Sequence, residues 1–226
     1  MKKMYLLLVA TILLYSTTYA KTPSEGGAFE NFGASLKFGA LYGVGVDFST
    51  SLHPNLKARV GFNYLGYNAA SIIDFSGDEE LGKGDLKFVN ANLLFDYYPM
   101  LNGIFYITAG AYFGANKINM EGIGFDPFSL NDYVIIPDAN GYFEGTVKFG
   151  GAVKPYLGLG VGHTIPNSIV GVKFELGVVY QGKLKVESDY MNTSMKPNDV
   201  DDILKIPLLE SKFWPSATLS LTFRIK

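Results

Sequence analysis

From Val170 to Val186 the chain reads VGVKFELGVVYQGKLKV, and its even positions are apolar almost throughout. Val170, Val172, Phe174, Leu176, Val178, Tyr180, Leu184 and Val186 make up that set, broken only by Gly182. Opposite them stand Gly171, Lys173, Glu175, Gly177, Val179, Gln181, Lys183 and Lys185. A period of two belongs to a strand and not to a helix. Strands in soluble sheets average about 5–6 residues, and this stretch runs for 17. A strand that crosses a membrane needs about 9–11 residues, apolar toward lipid and polar toward a lumen. The even face is therefore expected to meet lipid and the odd face a lumen.

The pattern recurs along the chain. It is found in 32–48, 56–68, 86–98, 104–118, 147–162 and 215–225. In 147–162, Val147, Phe149, Val153, Leu157, Leu159 and Val161 are expected to share one face. Turn signals such as His53-Pro54-Asn55 and Pro166-Asn167 mark short connections, whereas 69–85, 119–145 and 187–212 read as long loops. Short and long connections alternate, as in barrels with short periplasmic turns and long extracellular loops. With both termini periplasmic, the number of strands is even. Residues 29–51 are expected to form a hairpin near Gly39–Gly43, with one bent strand as the alternative. The hairpin gives an all-β, eight-stranded, antiparallel up-and-down transmembrane barrel.

Residues 1–20 have the layout of a signal peptide: Lys2 and Lys3, an apolar run from Tyr5 to Tyr15, then small and polar residues ending at Ala20. The expected organisation is a signal peptide (1–20), a short periplasmic lead (21–28) and the barrel (29–226), exported to a Gram-negative outer membrane. The chain has no cysteine, which excludes disulfides and thiolate metal sites. The expected surroundings are outer-membrane lipid and lipopolysaccharide, reached through the barrel-assembly machinery. A monomer is expected, with no nucleic-acid partner, no cofactor and no metal.

Period two assigns polar residues to the lumen: Lys37, Asp47, Arg59, Asn63, Asn90, Asn92, Asp96, Tyr106, Thr108, Tyr112, Lys154, Lys173, Glu175, Gln181 and Arg224. Eight strands enclose a space that side chains nearly fill, and an unpaired buried ion costs several kcal/mol or so. Mixed charges there should pair, with Glu175 a carboxylate among several cations. Gly158-Leu159-Gly160-Val161-Gly162 lacks the spacing of a nucleotide loop and reads as small lumen residues making room for larger neighbours. His53 and His163 both fall in expected periplasmic turns. The outer leaflet is thus left without the usual general base, and no enzyme or catalytic residue is expected. The three long loops hold 16 of the 21 acids and four basic residues. Asp78, Glu79, Glu80, Asp199, Asp201 and Asp202 are candidates for an acidic vestibule that concentrates cations. Tyr97, Tyr98, Phe105, Tyr106 and Trp214 are expected in the interfacial girdles.

DYYP at 96–99, FYITAGAYF at 105–113, KPYLGLGVG at 154–162, VVYQGKLKV at 178–186 and FWP before LSLTF at 213–223 carry a resemblance. Together they resemble the small outer-membrane barrels of the CarO type, within a wider group of OmpW- and OmpA-like barrels. The resemblance implies an eight-stranded barrel and a role in uptake of basic amino acids, and it supplies no ligand residues. Such barrels commonly end in an aromatic residue, whereas this chain ends Phe223-Arg224-Ile225-Lys226. Two functions are then expected to compete. One is a narrow, porin-like transport channel for small cationic solutes. The other is a non-conducting structural or surface-interaction barrel acting through its acidic extracellular loops.

Overall fold

The computed structural model describes residues 28–69, 83–101, 103–123, 128–130, 133–182, 184–188, 191–192, 202–204 and 211–225. The expected signal peptide, most of the lead, and Asp78, Glu79, Glu80, Asp199 and Asp201 lie outside the described residues. The strands are β1 (Phe32–Gly39), β2 (Gly43–His53), β3 (Leu56–Ala69), β4 (Lys83–Tyr97), β5 (Phe105–Ile123), β6 (Phe128–Leu130) and β7 (Tyr133–Ile135). They continue as β8 (Tyr142–Phe149), β9 (Val153–Val161), β10 (Val170–Tyr180), β11 (Leu184–Glu187), β12 (Met191–Asn192), β13 (Asp202–Leu204) and β14 (Phe213–Arg224).

Eight of these close a ring in the order β1-β2-β3-β4-β5-β9-β10-β14, with β14 returning to β1. Every pairing in the ring is antiparallel. Residues 29–51 do form a hairpin: β1 and β2 pair from Gly39↔Gly43 downward, and the chain reverses over Ala40, Leu41 and Tyr42. Segments β6, β7, β12 and β13 form a separate small sheet. Asp202 belongs to it, opposite Phe128.

The alternation sorts the two faces. On β10, Phe174, Leu176, Val178 and Tyr180 are exposed toward lipid, while Lys173, Glu175 and Val179, with Gln181 just beyond the strand, are buried inside. The outward apolar column of β4 runs from Tyr97 to Val89, and that of β5 from Phe105 to Ala115. Those are 9 and 11 residues, the length of one membrane crossing. Tyr97 and Phe105 take girdle positions, as expected. Tyr98, Tyr106 and Trp214 do not: all three are buried in the interior.

Above the membrane the wall continues on one side. There β5 pairs with β8, and β8 with β11. Below, β5 pairs with β9 and β9 with β10. Segments β8 and β9 are thus two pieces of one strand path, and β10 and β11 are two pieces of the next. The break follows from a one-residue mismatch. Between the pairs Asn116↔Phe149 and Phe113↔Val153, β5 advances three residues and its partner four. The extra residue is a bulge, which bends the strand and reverses its phase. Gly150 sits in it at φ 61°, where a Cβ would lie 1.3 Å from the carbonyl oxygen of Gln181. Val147 and Phe149 consequently point inward and are buried, while Val153 is exposed to lipid. The expectation that these three share a face is corrected. Lys185, expected toward the lumen mouth, lies directly opposite the exposed Lys148 and so faces outward.

Leu176→Arg, near the middle of β10 on the lipid face, is expected to cost about 2–4 kcal/mol in denaturant titrations of protein refolded into bilayers. Gly150→Ala is expected to cost more than about 1–2 kcal/mol in the same titration, because the left-handed conformation and the Gln181 carbonyl both oppose a side chain.

Candidate functional site

The lumen is filled from the periplasmic side upward. Its lower half holds three cations and three anions. Lys37 comes from β1, Asp47 from β2, Arg59 from β3 and Asp96 from β4, with Lys173 and Glu175 from β10. All six are almost completely buried. Arg59 is the hub. Its Nη2 donates to Asp96 Oδ1 at 2.8 Å, and its Nε lies 2.8 Å from Oδ2 as an ion-pair contact. The same Nη2 reaches Glu175 Oε2 at 2.7 Å, and Nη1 reaches Asp47 at 3.3 Å. Lys37 pairs with Asp47 at 2.6 Å, and Lys173 with Asp96 at 3.5 Å. A planar guanidinium suits this role, since its spread nitrogens reach three carboxylates on different strands at once.

Neutral donors complete the carboxylates. Tyr156 donates its hydroxyl to Glu175 Oε1 at 2.8 Å and Tyr106 donates to Oε2 at 3.0 Å. Thr108 donates to Asp96 Oδ1 at 2.7 Å, Thr164 donates to Oδ2, and the Asn92 amide donates to Asp47 at 3.1 Å. The tyrosines fit because the wall behind them has no side chains. A Cβ at Gly160 would lie 2.1 Å from the Tyr106 ring, and one at Gly177 2.4 Å from the Tyr156 hydroxyl. The glycines of β9 and β10 make room for these two rings.

The turn between β9 and β10 closes the periplasmic mouth. Thr164, Ile165 and Pro166 are buried there. Tyr98 accepts a hydrogen bond from the Thr164 backbone N–H at 2.8 Å and stacks on His163. Burial, with the Lys57 charge near it, holds the His163 imidazole below its usual pKa. Both histidines lie at this end. Sequence alternation did not foresee Thr164, because it sits in a turn and reaches the lumen by folding inward.

The upper half is less charged. Lys154 donates to the Gly114 carbonyl at 2.5 Å and to Asn90 at 3.2 Å. Asn90 donates to Asn116, Asn116 to Gln181, and Gln181 to the Tyr42 hydroxyl. Tyr112 packs at 4.4 Å from Tyr42 and edge-on to Tyr156. Above them Phe88, Val147, Phe149 and Trp214 form an apolar plug. Of the expected lumen residues, Lys37, Asp47, Arg59, Asn63, Asn90, Asn92, Asp96, Tyr106, Thr108, Tyr112, Lys154, Lys173, Glu175 and Gln181 are all buried inside. Arg224 is not among them. It is exposed at the periplasmic rim, where it donates to Asn31 at 2.7 Å, because the inward column of β14 ends at Thr222.

No protein-family model matches this chain, and no curated protein does. Two solved structures from Acinetobacter baumannii match in shape. CarO2 superposes with a TM-score of 0.55 at 19% identity, covering 88% of this chain and 100% of its own. CarO gives 0.52 at 21% identity, covering 84% and 96%. This chain has their fold: that of an outer-membrane barrel. The likeness to CarO-type barrels read from the sequence holds at that level.

Removing one partner of a buried ion pair leaves its counter-charge unsatisfied, at about 3–5 kcal/mol. Glu175→Ala is expected to lose about that much in urea titrations. Tyr156→Phe is expected to lose about 1.5–3 kcal/mol, as for a hydrogen bond to a charged group.

Proposed function

We propose that this protein resides in the outer membrane as a closed barrel whose work is done at the cell surface and not by conduction through its lumen. The observation that carries this reading is the neutral six-residue ion cluster spanning the lumen, capped above by the aromatic plug and below by the inward-folded turn. Arg59, Lys173, Lys154, Tyr106, Leu94 and Val179 are each under 2% exposed. A cation moving through would have to break the Arg59–Asp96 ion pair and strip its own water in a space already full.

The described acids above the membrane also support the surface reading. A cavity of about 550 Å³ is lined by Asp85, Asn119, Glu121, Glu144, Thr146 and Glu187 among others. Asp85↔Asn119↔Thr146↔Glu187 and Glu121↔Glu144 are direct cross-strand neighbours on the face opposite Val147 and Phe149. These carboxylates therefore point away from the lumen, and they do not line an entry to it.

Single-channel recording of folded protein in planar bilayers tests the proposal. The expected trace has no unitary steps in potassium chloride or with arginine as the cation. Reproducible steps in the wild-type protein would replace this reading with that of a narrow, cation-favouring uptake channel.

A further inference from the structure

Beyond the ends of the outward apolar columns, four successive strand segments each carry an outward lysine, directly next in the column on β4 and β5 and beyond the strand breaks on β8 and β11. On β4, Val89 is followed upward by Lys87, and on β5, Ala115 by Lys117. Above Val153 comes Lys148 on β8, and above Tyr180 comes Lys185 on β11. These four are in direct register: Lys87↔Lys117, Lys117↔Lys148 and Lys148↔Lys185. The row spans three interstrand spacings of about 4.8 Å, about 14 Å in all. Its outward direction is secured by the opposite face, where Phe88, Asn116, Val147 and Phe149 are buried.

Like charges directly opposite on a sheet destabilise it. Among the described residues, Lys148 alone of the four has an ion-pair partner, Glu187. Because barrel strands tilt by about 35–45°, the row climbs the wall obliquely, by about 9 Å from one end to the other, and it starts where the outward apolar columns of β4 and β5 end. Lysine stems can lie along apolar surface there while the ammonium groups reach the headgroup layer. Phosphate accepts lysine as a compact point charge, and a chain of ammonium groups about 14 Å long can serve a headgroup carrying more than one phosphate.

We propose that Lys87, Lys117, Lys148 and Lys185 form a seat for the phosphates of lipopolysaccharide on the outer wall of the barrel. The site depends on the orientation of the barrel in its membrane and not on whether the lumen conducts.

The test compares binding of bis-phosphorylated lipid A and of dephosphorylated lipid A to the refolded full-length protein, followed by native mass spectrometry in detergent. Wild-type protein is expected to favour the phosphorylated lipid by about tenfold, the effect of one well-made charged contact. The preference should vanish when Lys87→Gln, Lys117→Gln, Lys148→Gln and Lys185→Gln are combined, and persist in Arg224→Gln at the periplasmic rim. Heat-modifiable gel mobility reports that each variant is folded, and Lys117→Gln with Lys185→Gln serves should the quadruple variant fail to fold. Equal binding of the two lipids by wild-type protein overturns the proposal, as does a folded variant that keeps the full preference.

Discussion

A ring of eight strands leaves an interior that side chains can fill, with no room for a bulk-water channel beside them. Any charge drawn inside must therefore find a counter-charge or polar acceptors there. Arg59 meets that constraint for three strands at once, binding Asp47 on β2, Asp96 on β4 and Glu175 on β10. The pairings cross the lumen, so they tie the barrel together through its middle as well as through its hydrogen-bonded wall. The favourable Coulomb energy of such a cluster offsets a large desolvation cost. Its contribution is best seen as fixing which side chains occupy the centre. The glycines behind Tyr106 and Tyr156 belong to the same solution, since the hydroxyls that complete Glu175 can approach only a bare backbone.

Where the wall leaves the membrane its requirements change. Inside the bilayer, an apolar column must face out and a polar one in. Above it, Val147 and Phe149 face inward to join Phe88 and Trp214, and polar residues face outward to water. On β4 and β5 the residues themselves change within a continuous strand, with Lys87 and Lys117 following the outward apolar columns; on the two neighbouring paths the phase shifts instead. The bulge at Gly150 on one strand path and the break between β10 and β11 on the next supply that inversion side by side. Both occur near Gly114, at the level where the apolar columns of β4 and β5 end.

That inversion explains what was legible in the sequence and what was not. Period two placed the strands, their faces and the hairpin at Gly39–Gly43, because lipid imposes alternation on every crossing residue. It also brought fourteen polar residues to the lumen. It misplaced Val147, Phe149 and Lys185 because it was read through the breaks without resetting the phase. Gly150-Gly151 and Gly182 were visible as local signals, but a glycine alone does not tell a bulge from a small lumen residue. Tyr98, Tyr106 and Trp214 look like girdle residues by position along their strands, and their orientation depends on which face is inward at the rim. The partnership of Arg59 with Glu175 joins residues 116 apart and has no local signature.

The charges thus divide into two populations with different fates. Inside, Lys37, Arg59 and Lys173 are matched by three carboxylates, while Lys154 is held by neutral acceptors, and all are removed from solvent. Lys87, Lys117, Lys148 and Lys185 are outside, aligned with one another instead of with acids in their own row. The six-residue cluster is neutral by itself, and Lys154 above it is held by the Gly114 carbonyl and Asn90, so the outer set is not needed to balance the interior. Intramolecular pairing would have been easy to encode on that outer row, as Asp85 and Glu187 one step above it show. A lysine on all four segments, beyond the end of the apolar columns, instead matches a boundary that the membrane sets, the transition from acyl chains to phosphorylated headgroups. The interior of this barrel is organised around itself, and its outer wall is organised around the leaflet in which it stands.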